Sequence, residues 1–205
     1  ASQTIVQTLA RLPAVRTINV YARSVQTSLQ HINELLRHEA ARRERETIGA
    51  TVAVLIAAPD GLACLWAGDS RLYRYRRPRL EQLTRDHSYV QELVDAGALS
   101  PEEAQHHPMG NVVARAVGAH EMLDVDAHPV LAQAGDVMLL CTDGLSKVVA
   151  DEEITQILAN RRPFEATREL VNLALLRGAP DNVSVVVVRV DLDTGTVTRP
   201  VAWEE

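Results

Sequence analysis

The sequence has no basic excess. Its 21 lysine and arginine residues are outnumbered by 27 aspartates and glutamates, for a formal net charge of −6. A nucleic-acid binder usually carries the opposite balance, so no nucleic-acid partner is expected, whereas cationic cofactors are compatible with it. Cysteine is scarce. Cys64 and Cys141 are the only two, each inside an apolar run (ACLW and LLCTDG). They read as small buried hydrophobes rather than a disulfide framework, which points to a reducing, cytoplasmic setting. No apolar stretch approaches the roughly 20 residues needed to cross a bilayer, so no membrane association is expected. The opening, ASQTIVQTLARL, has no basic start followed by a continuous apolar segment, and it reads as a helix in progress rather than a signal peptide.

Several reaction chemistries are also missing their signatures. No GxSxG elbow presents a serine nucleophile. Neither HExxH nor a paired CxxC is there to hold zinc. Gly118 and Gly135 are isolated, so no glycine-rich loop cradles a phosphate. His106 and His107, next to Pro108, point in different directions as neighbours in the chain, and they read as part of a solvated loop.

What is present is an ordinary globular balance, 46% apolar and 23% charged over 205 residues, enough for one domain with a large core. Ile5, Val6, Leu9 and Leu12 recur at helical spacing up to Pro13. Ile18, Tyr21, Val25, Leu29, Ile32 and Leu36 form the stripe of a longer helix, which runs out in a solvated charge run at 42–46. Residues 50–58 and 62–67 are nearly continuous apolar runs around Pro59-Asp60-Gly61, the pattern of two buried strands joined by a tight turn. Shorter strands are expected at 72–75 and 80–83, and further buried ones at 136–142 and 183–190. Helices are expected at 151–159 and 164–176. The polar stretch 86–110, with helical pieces at 89–96 and 101–105, reads as a surface insertion, a flap-like segment. Apolar strand runs imply burial on both faces. Two sheets packed face to face, with helices outside each, satisfy that requirement in a single domain of α+β class spanning 1–205.

Three aspartates sit where strands meet turns: Asp69 in Gly68-Asp69-Ser70, Asp143 in Thr142-Asp143-Gly144, and Asp181 in Pro180-Asp181-Asn182. Taken singly, each is accounted for as a turn residue. Taken together, three carboxylates at strand ends could converge, and such a group suits a hard cation such as Mg2+ or Mn2+. Two such ions can activate water and clamp the oxygens of an in-line phosphoryl displacement.

The ordered motifs resemble the protein phosphatase 2C family of metal-dependent (PPM) serine/threonine phosphatases, in its compact bacterial form. The resemblance runs through Gly49-Ala50-Thr51, Ala67-Gly68-Asp69-Ser70-Arg71-Leu72-Tyr73 and Leu83-Thr84-Arg85-Asp86-His87-Ser88. It continues through His107-Pro108, Asn111, Arg115-Ala116-Val117-Gly118, Gly135-Asp136, Leu139-Leu140-Cys141-Thr142-Asp143-Gly144-Leu145 and Gly178-Ala179-Pro180-Asp181-Asn182-Val183-Ser184. It implies an αββα four-layer sandwich of two mainly antiparallel sheets flanked by helices, with a binuclear Mn2+ or Mg2+ site at one end. It implies that Asp143 and Asp181 are catalytic metal ligands, that Asp69 is associated with a third, looser ion, and that metal-activated water hydrolyses phosphoserine or phosphothreonine in protein substrates. The segment 86–110 would match the family's mobile flap.

Two departures stand out. The family's early motifs, a phosphate-binding arginine and an Asp-Gly-Met-Gly-Gly-type segment with a bridging aspartate, are not among these residues, so the chain is expected to begin just after that segment, without its N-terminal strands. Lys147 stands where bacterial relatives often carry an aspartate that helps hold the third ion, and a charged lysine repels a cation. The expected activity is a phosphatase opposing a bacterial serine/threonine kinase, with a signalling role that could include type VI secretion. The alternative is a non-catalytic, phosphatase-like regulatory or binding module.

Overall fold

The computed structural model describes residues 1–13, 16–45 and 47–191; Glu46, at the end of the charge run, and the last residues of the chain lie outside them. Helix α1 (Ser2–Leu9) precedes the long α2 (Ile18–Arg42). Strands β1 (Val52–Ala58), β2 (Gly61–Ala67), β3 (Arg71–Arg76) and β4 (Arg79–Gln82) follow as two hairpins, one in each sheet. Then come α3 (Tyr89–Asp95), α4 (Pro101–Gln105), β5 (Asp126–Val130) and β6 (Val137–Cys141). The chain continues through α5 (Asp143–Ser146), α6 (Asp151–Asn160), α7 (Pro163–Leu176) and β7 (Val185–Arg189).

The strands form two antiparallel sheets, of order β1-β2-β5 and β4-β3-β6-β7. Side chains alternate between the faces of a strand, so a strand buried on both sides feeds two cores. In β2, Ala63, Leu65 and Ala67 pack under α1 and α2, while Cys64 and Trp66 turn to the other sheet. In β6, Leu139 and Cys141 pack under α6 and α7, while Met138 meets Cys64, Trp66 and Leu72 between the sheets. Three apolar layers therefore separate four structural ones, the α-β-β-α order expected from the sequence. Burial pushes both the Cys64 and the Cys141 thiols up to about 12, consistent with inert core residues.

Most elements lie where hydrophobic pattern places them, but β5 does not. Its sequence, DAHPV, carries aspartate and proline, both poor strand formers. It pairs with β2 alone, with Pro129 facing Ala63, and an edge strand tolerates a residue that cannot donate to a ladder. β1 and β7 are the edges of their sheets as well, and both line an apolar groove of about 710 Å3, together with Leu140, Ile5 and Leu9.

Two polar contacts hold the layers in place. Thr17, at the N-cap of α2, makes no side-chain cap bond, and the helix is capped from a distance. The Asp60 carboxylate in the β1–β2 turn accepts the Ile18 N–H at 2.9 Å, placing negative charge at the helix N-terminus. Asp136, 1% exposed, accepts two bonds from Arg76, at 2.8 and 2.7 Å, and one from the Gln133 N–H at 2.8 Å. Burial works to raise its pKa, but the Arg76 pair and the backbone donor outweigh burial and hold the carboxyl below its usual range.

Replacing Asp60 by Ala is expected to cost about 1 kcal/mol in chemical denaturation, the usual value of a lost cap. A group whose folded pKa is depressed contributes stability that is present above its unfolded pKa, about 3.9, and lost as pH falls through the folded value. The stability advantage of the native protein over Asp136→Asn is therefore expected at pH 7 and should shrink as the pH is lowered below about 4, as read by denaturant midpoints.

Candidate metal centre

The four-stranded sheet sets the position of the acidic turns. Its register places Arg71 of β3 opposite Cys141 of β6, and Cys141 opposite Val185 of β7. Asp69 lies just before Arg71, Asp143 just after Cys141, and Asp181 a few residues before Val185. The three turns consequently stand at the same end of the sheet, although they are far apart in the chain.

The turns carrying Asp143 and Asp181 touch directly. Thr142 donates its Oγ1 hydroxyl to the Asn182 carbonyl at 2.9 Å and accepts the Ser184 N–H at 3.0 Å, while its own N–H reaches the Ser184 carbonyl at 3.1 Å. Gly144 lies against this turn so closely that a Cβ there would stand 2.6 Å from the Asn182 carbonyl oxygen and 3.0 Å from that of Asp181. The absent side chain is what lets the start of α5 approach the loop before β7. The Asp181 carboxylate accepts the next N–H, of Asn182, at 2.6 Å and is otherwise turned toward solvent.

Asp69 is held by a more buried framework. Gly68 adopts φ +123°, and a Cβ there would meet the Thr51 side chain at 2.4 Å. Its carbonyl accepts the His87 N–H at 3.0 Å, and its N–H donates to His87 Nδ1 at 3.2 Å. That bond leaves Nδ1 unprotonated, so the neutral ring carries its proton on Nε2, which faces Asp126 Oδ2 at 3.2 Å. His87 also stacks on Trp66, whose indole N–H donates to the Arg85 carbonyl at 2.8 Å. Ser70 Oγ shares a hydrogen bond with Thr51 Oγ1 at 2.9 Å, and Arg71 clasps Asp86 at 2.7 and 3.0 Å. The motif residues around Asp69 thus build the turn that presents it.

The electrostatics mark this end of the sheet as short of positive charge. Burial first, and then the carboxylates of Asp143 and Asp86, push the Asp69 carboxyl above its usual range, against the pull of Lys147. Lys147 is one helical turn beyond Asp143 and puts its Nζ 2.5 Å from Asp143 Oδ2 and 2.7 Å from Asn111 Oδ1. Among the described residues, no three or more histidine, cysteine, aspartate or glutamate side chains form a group that could hold a metal ion. Oxygen donors from one or two carboxylates, completed by water, nevertheless form the ordinary protein shell of Mg2+. Carboxylate oxygens of this kind are the donors a hard divalent cation takes, and Asp143 and Asp181 stand on turns that touch.

Sequence reasoning singled out Asp69, Asp143 and Asp181, and the fold brings their turns to one end. It assigned no partner to Asn111. The usable signal was the spacing of Lys147 from Asp143, which places the two on one face of a helix. Gly144→Ala is expected to force apart the turns of Asp143 and Asp181, with a loss of about 1–3 kcal/mol measured by thermal or chemical denaturation.

Comparison with known proteins follows the same lines. The family model for protein phosphatase 2C matches residues 1–183. The serine/threonine protein phosphatase PstP of Mycobacterium tuberculosis is 42% identical over 161 residues, which cover 76% of this chain but 30% of that protein. Among solved structures, PppA, a key regulatory component of the type VI secretion system in Pseudomonas aeruginosa, superposes with a TM-score of 0.85 at 45% identity, covering 92% of this chain and 78% of the other. The catalytic domain of PstP in complex with two manganese ions gives a TM-score of 0.76 at 34% identity, over 93% and 80% of the two chains. The family match runs through the Asp181 turn, and the chain belongs to the protein phosphatase 2C family.

Proposed function

We propose that residues 1–205 form a single phosphatase 2C-like catalytic domain that hydrolyses phosphoserine and phosphothreonine esters in proteins. The observation that carries this reading is the direct packing of the Asp143 turn against the Asp181 turn. Asp143 and Asp181 are the residues to hold Mn2+ or Mg2+, and Asp69 is the candidate for a further, looser ion. Bound there, divalent metal supplies Lewis-acid charge and water activated at neutral pH for attack on phosphorus. The manganese pair of the PstP catalytic domain supports the choice of ion.

The chain's own residues prepare that chemistry. Thr142 and Gly144 fix the distance between the two aspartate turns. The Gly68–His87 pair and the Arg71–Asp86 clasp orient Asp69. The stretch 86–110 is the flap-like insertion beside the substrate. It contains α3, capped by Ser88, and α4, closed by a capping box between Ser100 and Glu103. Its C-terminal side returns to the site through a bridge between Ser88 and Val113.

The substrates follow from this reading: phosphoproteins made by a serine/threonine kinase that the enzyme opposes. The likeness to PppA supports a signalling role around type VI secretion. Among the described residues no helix is long and apolar enough to cross a membrane, and with two buried free thiols this supports a cytoplasmic setting. A second reading, a non-catalytic binding module of the same fold, is favoured by one observation. The described acidic side chains do not close into a three-ligand group.

One assay separates the two. Full polypeptide stripped of metal with EDTA is given a phosphothreonine peptide with and without Mn2+. The enzyme reading expects phosphate release only with metal, and a loss of at least about 100-fold in Asp181→Ala. Release that ignores metal, or an unaffected Asp181→Ala protein, would sink it. Peptide binding without release at any Mn2+ concentration would establish the binding module.

A further inference from the structure

Lys147 is placed where two structural problems meet. The first is charge. Asp69, Asp86 and Asp143 bring three carboxylates to one end of the four-stranded sheet, and the Lys147 ammonium lies 2.5 Å from Asp143 Oδ2. The second is the loop that follows α4. Its turns are local: the Gly110 N–H bonds the His107 carbonyl at 2.9 Å, the Met109 N–H bonds His107 Nδ1 at 3.1 Å, and the Val112 N–H bonds the Met109 carbonyl at 3.0 Å. Beyond it the chain is anchored to the start of α3 and to His87, through the Tyr89 N–H to the Val112 carbonyl and the Ala114 N–H to the His87 carbonyl. At the exposed Asn111, the side chain reaches across to Lys147 Nζ at 2.7 Å.

We propose that Lys147 is a positioning residue, whose ammonium serves as the resident counter-charge of the acidic corner and ties the Asn111 loop to it. Its geometry suits both tasks. Lysine has three N–H donors on a flexible stem, so one ammonium can bond Asp143 Oδ2 and Asn111 Oδ1 together. The stem rises from α5, whose Gly144 and Leu145 are buried and whose Lys147 N–H closes the helix onto the Asp143 carbonyl at 3.0 Å. The ammonium is therefore rooted in the same turn that fixes Asp143. A divalent ion approaching Asp143 competes with this charge, so Lys147 strengthens the loop and weakens the ion. The second consequence rests on the reading of Asp143 as a metal ligand, whereas the first does not.

The two consequences have opposite signs, which makes the proposal testable with one substitution. Lys147→Met keeps the length and removes the charge and the donors. In metal-free protein, hydrogen exchange of the amides at 109–113 should quicken by about fivefold, the scale of a partly exposed ion pair, with α7 amides unchanged. In titration calorimetry the same variant should bind Mn2+ about fivefold more tightly, because a competing cation is gone. Lys147→Arg, which keeps charge and donors, should restore most of the loop protection. Unchanged exchange at 109–113 in Lys147→Met overturns the tie, whatever the metal does. Mn2+ binding that is equal or weaker in Lys147→Met overturns the counter-charge. Absence of Mn2+ binding in the native protein overturns the metal reading of Asp143 and with it the counter-charge half, while accelerated loop exchange would still support the tie.

Discussion

Strand β6 is hydrogen-bonded on both sides, to β3 and to β7, and its register governs the acidic end of the molecule. Cys141 stands between Arg71 and Val185, so the chain leaving β6 must turn beside the chain entering β3 and the chain entering β7. A one-residue slip in β6 would also exchange Leu139 and Cys141 with Met138 between the helix-covered face and the inter-sheet face. Two dissimilar cores therefore hold one register, and that register carries Asp143 to its place.

Around this register the polar motifs act mainly as scaffolding. Thr51, Ser70, Arg71, Asp86 and His87 hold one another or the backbone of Gly68. Thr84, buried, accepts the Leu72 N–H at 3.1 Å through its hydroxyl, and buried Asn33 accepts the Gly118 N–H at 2.6 Å while donating to the His120 carbonyl at 3.0 Å. Gly118 itself takes φ +95°, and a Cβ there would lie 2.2 Å from the Ile48 carbonyl oxygen. A buried polar side chain is tolerated where it satisfies a backbone group that has no ladder partner. These residues form a net that holds the backbone around the acidic turns.

The balance of charge at that end is unequal. Asp69 is held in a confined turn where burial pushes its carboxyl above the usual range, whereas Asp181 is exposed and bonded within its own turn. Asp143 lies between them, shared by its turn and by Lys147.

Much of the fold was legible from period and run length. Continuous apolar strands required burial on both faces, and the amphipathic stripes of α1 and α2 required something to cover. β5 was not legible, because a strand that borrows its stability from a single partner needs little propensity of its own. The identities of Asp69, Asp143 and Asp181 were likewise open in the chain, since residue type and turn context are local properties. Which of them meet, and what stands between them, was decided by tertiary structure alone. Hydrogen-bond register sets distances between residues more than 100 positions apart, and the contact of Lys147 with Asn111 joins a helix to a loop 36 residues earlier. Sequence by itself determined the chemistry available at the strand ends; packing determined its geometry, because only the paired strands β3, β6 and β7 bring those ends together.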